Sequence, residues 1–202
     1  MIFCPVVSPN AQIWQIPKTC QLCLNRSPIL KKIIFVIGGC RSGKSSHAQR
    51  LAEGIQNRNR IFIATCVPYD EEMQERVRKH QEDRDSTWTT VDAPILLPDM
   101  LQKYGTEENA VLADCLTLWC SNLLMYPDIV QEIDLRADSL IHALENVKGT
   151  VIVVSNEVGT GIVPENRLAR QFRDIMGIIN RRTAAVADEV IWMVAGIPVK
   201  IK

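Results

Sequence analysis

Between an apolar run from Ile33 to Ile37 and a helix-forming segment that begins at Lys44, the chain carries Gly38-Gly39-Cys40-Arg41-Ser42-Gly43-Lys44-Ser45. These eight residues satisfy the G-x-x-x-x-G-K-[ST] spacing in the strand, turn and helix context that gives it meaning. A backbone that wraps phosphates must let several N–H groups converge, and glycine avoids Cβ clashes at the tightest points. Lys44 brings a positive charge to the terminal phosphates and Ser45 offers a hydroxyl to Mg2+. The helix that starts there points its positive end at the anion. The motif therefore predicts a nucleoside triphosphate site, without saying which acceptor receives the phosphate.

The rest of the chain alternates strand and helix. Strands are predicted at Ile61 to Ala64, Trp88 to Val91, Ala110 to Ala113, Val151 to Val154 and Val190 to Val194. Helices are predicted from Lys44 to about Gln56, from about Asp70 to Glu82, from a start at Pro94, and over Leu116 to Met125 and Asp128 to Val147. Pro164 introduces a long helix whose apolar face is Leu168, Phe172, Ile175, Ile179 and Val186, with Arg170, Arg173, Asp174 and Arg181 turned away. Val151 to Val154 is a β-branched run of the kind buried on both faces, hence a central parallel strand. The pattern predicts an α/β fold with a mainly parallel sheet covered by helices.

Composition narrows the partners. Lys and Arg together balance Asp and Glu at 23 each, and no long basic run offers a footprint for nucleic acid or an anionic membrane. No apolar stretch reaches bilayer-spanning length and no signal core opens the chain, which predicts a cytoplasmic protein acting on small molecules. The seven cysteines read as reduced thiols. Cys20 and Cys23 have the spacing of half a zinc knuckle, short of the four ligands a structural site needs. Residues 1–31, with Pro5, Pro9, Pro17 and Pro28, read as an irregular extension that docks, stays disordered or reflects an upstream start; residues 32–202 read as one regular P-loop domain.

A triphosphate site also wants a carboxylate for the metal at the end of a neighbouring strand. Asp114 is the first candidate and Glu157 the second, although either can instead cap the helix that follows. Three histidines are present. His47 lies one turn beyond Lys44, where a side chain packs more readily than it reacts, and His142 reads as a surface residue. On position alone, His80 is a partly buried histidine near a helix C-terminus, on the same face as Met73 and Val77.

The phrase NEVGTGIVPENRLARQFRDIMGIINRR, the following AAVADEV, the ending GIPVKIK and the loop GGCRSGKSSHAQRLAE together resemble the bifunctional adenosylcobinamide kinase and adenosylcobinamide-phosphate guanylyltransferase family. The resemblance runs in one register from about Lys32 to Lys202. It implies a P-loop NTPase-like, RecA-like fold and two reactions in cobalamin biosynthesis. ATP or GTP phosphorylates adenosylcobinamide; GTP then gives GMP to a histidine, from which adenosylcobinamide phosphate takes it. It implies that His80, in EEMQERVRKH, is that nucleophile, with Lys44 as the other catalytic residue. It further implies nucleotide contacts from Thr65, Cys66, Val67, Gln81, Glu82, Asp83, Arg84, Asp92 and Asp114, beside the loop from Gly38 to Ser45.

Asp92 and Asp114 depart from the family, which more often has Glu, so base recognition and metal binding both stay open for them. Ser45 and Asp114 are the implied Mg2+ ligands. Arg41 and Arg84 suit a phosphate clamp because a guanidinium binds two oxygens at once, and a surface ion pair is the alternative for Arg84. The segment from Pro164 to Arg173 is a candidate for holding the corrinoid or a neighbouring subunit. The resemblance also implies a symmetric homo-oligomer, with a trimer as one form.

Overall fold

The computed structural model describes residues 31–56, 58–82, 84–126 and 132–202. The extension, the Cys20 and Cys23 pair, and the residues predicted to begin the helix at Asp128 lie outside them, save Lys31. Along the described chain run β1 (Lys32–Gly38), α1 (Lys44–Glu53), β2 (Asn59–Ala64), α2 (Glu71–Glu82), β3 (Trp88–Asp92), α3 (Leu97–Tyr104) and β4 (Asn109–Asp114). They continue with α4 (Leu116–Leu124), α5 (Ile133–Asn146), β5 (Thr150–Asn156), α6 (Arg167–Val186), β6 (Glu189–Val194) and β7 (Ile197–Lys200).

Among these residues the strands form one sheet in the order β3-β2-β4-β5-β1-β6-β7. All pairings are parallel except the last, in which β7 runs against β6. The central strands are apolar on both sides because both sides are covered. On one face Phe35, Val111, Val153 and Val190 pack with Leu97, Leu101, Trp119, Leu140 and Ile179 from α3, α4, α5 and α6. On the other, Val36, Leu112, Ile152 and Met193 meet Ala48 and Ala52 of α1, whose small side chains let that helix lie close to the sheet.

Two boundaries differ from the sequence reading. Pro94 does not open its helix: α3 begins at Leu97, and Pro98 occupies the first turn, where a missing N–H costs nothing. The closing strand is followed by another, β7, joined to β6 through Ala195 (φ 49°) and Gly196 (φ 85°). Two left-handed residues between the paired Val194 and Ile197 make a tight hairpin turn, and the alanine in one of these positions disguises its sequence signature. A third difference concerns Arg173, which is not turned away from the fold. It is half-buried, donates through Nη2 to the Gly159 carbonyl at 2.6 Å, and keeps Nη1 buried with no partner.

Trp119 is fully buried in the larger core and donates its indole N–H to the Ile95 carbonyl at 2.9 Å. Trp119→Ala removes that bond and leaves a ring-sized cavity, so the expected loss is roughly 3–5 kcal/mol, read as a lower urea midpoint with an unchanged slope.

Candidate active site

The parallel register brings the chemistry to one edge of the sheet. At the ends of neighbouring strands, Asp92 and Asp114 both pair with Ala64, Asp114 pairs with Val154, and Gly38 pairs with Asn156. The phosphate loop leaves that same edge from β1. A Cβ added to Gly38 would sit 2.5 Å from the Met193 carbonyl of β6, so only glycine lets the two strands run this close. Arg41 (φ 54°) and Gly43 (φ 85°) then turn the chain back on itself. Such turns aim successive N–H groups into one concavity.

The helix behind the loop is built to receive an anion. Gly43 caps α1 without a side-chain hydrogen bond and no acidic residue lies in the first turn, so no resident group competes for the exposed N–H dipoles. Ser42, within the same loop, has a buried hydroxyl with no partner. Lys44 is buried and its ammonium donates to the Gly39 carbonyl at 2.6 Å. Burial pushes this ammonium below its ordinary value, against the opposing pull of Cys115, Asp114 and Cys40. The Ser45 hydroxyl and the Asp114 carboxylate are hard oxygen donors of the kind Mg2+ takes.

The other candidates divide by environment. Thr65 is fully buried, and its hydroxyl accepts from the Cys115 amide at 2.7 Å and donates to the Cys115 carbonyl at 2.8 Å. It clasps the end of β2 to the end of β4, and the half-buried Cys66 and Val67 follow it outward. Asn122 strengthens the clasp by donating to the Thr65 and Pro94 carbonyls. Cys115 is buried beside Asp114, and burial first, then that carboxylate, pushes its thiol up to about 12, which makes it inert. Glu157 accepts from the Gly159 amide at 2.7 Å, and its own amide donates to the Gly38 carbonyl, so it anchors the strand end beside the loop.

His80 lies near the C-terminal end of α2, whose N-terminus is capped by the Asp70 carboxylate accepting from Met73 N at 2.7 Å. Met73 and Val77 are half-buried as their shared face predicts; Gln81 and Glu82 are exposed in the last turn, and Asp83 lies outside the described residues. Arg84 stacks its guanidinium 3.7 Å from the centroid of the Phe62 ring, which ties the chain after α2 back to β2. Of the remaining histidines, His142 is exposed. His47 has a buried Nε2 with no partner, and burial lowers its proton affinity with help from Arg50.

The sequence reading missed the hairpin. Trp192, Met193, Val194 and Ala195 line a cavity of about 320 Å³ together with Gly39, Cys40, Arg41, Ser42, Glu157 and Thr160. Gly196 N donates to the Ser42 carbonyl at 3.2 Å, so the turn braces the loop directly. The available signal was Ala195-Gly196 between two apolar runs.

Because a buried ammonium is tolerated rather than welcomed, removing it relieves the ligand-free fold. Lys44→Met is expected to melt at or above the parent temperature in the absence of nucleotide while losing triphosphate affinity by at least tenfold. Calorimetry with and without nucleotide checks both, and a clearly lower melting temperature would contradict the account.

The chain matches the cobinamide kinase / cobinamide phosphate guanyltransferase family over residues 34–201. The bifunctional adenosylcobalamin biosynthesis protein CobU of Salmonella typhimurium is 40% identical over 182 residues, covering 84% of this chain and 99% of its own length. The bifunctional adenosylcobalamin biosynthesis protein CobP of Pseudomonas aeruginosa is 37% identical over 170 residues, covering 83% of this chain and 96% of its own. In fold, the chain is similar to a prototypical ATPase from the type III secretion system of pathogenic bacteria. That similarity has a TM-score of 0.51 at 12% identity and covers 84% of this chain and 56% of the ATPase. With its phosphate loop and sheet-edge carboxylates in place, and a match that spans nearly all of the described chain, this protein belongs to the cobinamide kinase / cobinamide phosphate guanyltransferase family.

Proposed function

We propose that residues 32–202 are the catalytic unit and carry out both family reactions through one phosphate loop. In the first, the hydroxyl of adenosylcobinamide's aminopropanol arm attacks the γ-phosphorus of ATP or GTP, and the nucleoside diphosphate leaves. In the second, neutral His80 attacks the α-phosphorus of GTP, a P–N bond forms and pyrophosphate leaves. A phosphate oxygen of adenosylcobinamide phosphate then attacks the same phosphorus, the P–N bond breaks, and adenosylcobinamide-GDP departs with the imidazole restored.

The observation that carries this reading is the buried Lys44 at the uncapped N-terminus of α1, within electrostatic reach of Asp114. Lys44 and the loop amides hold the transferring or departing phosphates, and Arg41 adds a guanidinium at the loop's crest. Mg2+ held by Ser45 and Asp114 would spread the charge on the terminal phosphates. Asp92, on the far side of Ala64 from Asp114, is placed for the nucleotide or for a second metal contact.

The second reaction makes a demand on α2. β2 lies three strands from β1, about 14 Å across the sheet at ordinary strand spacing. No described side chain of α2 is buried, so the helix is held by its ends more than by packing, and little apolar area resists a shift toward the loop. Among the described residues no helix is long and apolar enough to cross a membrane. We place the enzyme in the cytoplasm, as a homo-oligomer.

GTP labelled at the α-phosphate is expected to leave an acid-labile adduct on the parent protein that is absent from His80→Ala. Lys44→Ala loses both reactions, whereas His80→Ala keeps phosphorylation of adenosylcobinamide within about threefold of the parent, since it removes a nucleophile and leaves the loop intact. Loss of both reactions in folded His80→Ala would contradict that division, and γ-phosphate transfer without an adduct in the parent would reduce the protein to a kinase.

A further inference from the structure

The phosphate loop has two flanks, and the sheet order makes them chemically different. On one side, past β5, stands β4 with Asp114; on the other stands β6 with Trp192. Asp114, the carboxylate proposed for the metal, ends β4, so the terminal phosphates of a donor in the kinase step, with the metal they carry, belong on the β4 flank. A triphosphate is linear and its nucleoside is attached at the opposite end. The base then emerges on the β6 flank, where the cavity of about 320 Å³ lies.

That cavity suits a purine. Gly39 to Ser42 form the loop side, and Trp192, which is 42% exposed, contributes an aromatic surface with Val194 beside it. Glu157 and Thr160 complete the lining with oxygen acceptors for an amino group or a ribose hydroxyl, and Glu157 has a second carboxylate oxygen beyond the one engaged with Gly159. The volume is at the small end for ligand pockets, large enough for one nucleoside and far too small for a corrin macrocycle. The backbone at Trp192 is fixed, because its strand pairs with β1 on one side and β7 on the other, with Ile37 and Val199 as its partners.

We infer that the purine of the kinase-step donor stacks on Trp192, in the pocket between the phosphate loop and the β6–β7 hairpin. The inference rests on the phosphate-loop reading above, and it separates the donor's base from His80, which lies beyond the β4 flank. It makes the hairpin part of the nucleotide site and gives its left-handed turn a purpose beyond ending the sheet.

The test compares ATP with inorganic tripolyphosphate, which has the charge and no base, by calorimetric titration of the full chain with Mg2+. Trp192→Ala is expected to weaken ATP binding about tenfold, the size of one lost base stack, while tripolyphosphate binds as in the parent. Trp192→Phe keeps most of the ATP affinity. Trp192→Leu, which preserves apolar bulk for folding, behaves like the alanine variant. Unchanged ATP affinity, or an equal loss for both ligands, overturns the inference. So does an effect confined to the KM for adenosylcobinamide, which would give this surface to the corrinoid. Failure of the parent to bind tripolyphosphate at all would instead remove the phosphate-loop reading, and this inference with it.

Discussion

The close approach of β1 and β6 at Gly38 is the constraint on which the site is built. With no side chain there, Met193 of β6 sits against the end of β1, and the loop that follows has one exit from the sheet. The hairpin turn then reaches the loop and binds it through Gly196 N and the Ser42 carbonyl. On the opposite side, the Glu157 amide donates to the Gly38 carbonyl. The loop is thus held by both neighbours of its parent strand, so its concavity exists before any phosphate arrives. Preorganised dipoles of this kind need no reordering when charge develops.

Much of this was legible in the residues. The loop motif, the β-branched run at Val151 to Val154 and the alternation of strands and helices gave the parallel sheet, because each pattern has one economical way to bury its apolar atoms. The family phrases gave the two reactions. What the sequence concealed were features made by contacts between distant residues. Thr65 matched a nucleotide-contact position, yet its hydroxyl is wholly engaged with Cys115, fifty positions away. Arg173 fell on the polar face of its helix, yet the Gly159 carbonyl draws it inward. Ala195 adopts a left-handed turn that its identity does not announce.

The two halves of the sheet edge also differ in rigidity. Around the loop, strands and backbone hydrogen bonds hold the main chain. Around α2, the described side chains are exposed or only half-buried, and the firm anchors are the Asp70 cap at the start and the Arg84 stack on Phe62 after the end. Under the proposed reactions, a nucleophile that must meet an α-phosphorus and later release it to an acceptor gains from sitting on the looser half, and a charge cradle gains from the stiffer one. Placing them after separate strands lets one sheet provide both.

Ala48 and Ala52 are nowhere near a phosphate, yet they decide how far the first amides of α1 stand from one. Each adds only a methyl group between the helix axis and the sheet, and both are wholly occluded. A bulkier residue at either place would act as a wedge under a stiff rod and swing the cationic tip of α1 away from its target. Tolerance of mutation along this short helix should therefore follow the tilt of its axis more closely than its distance from the reacting atoms.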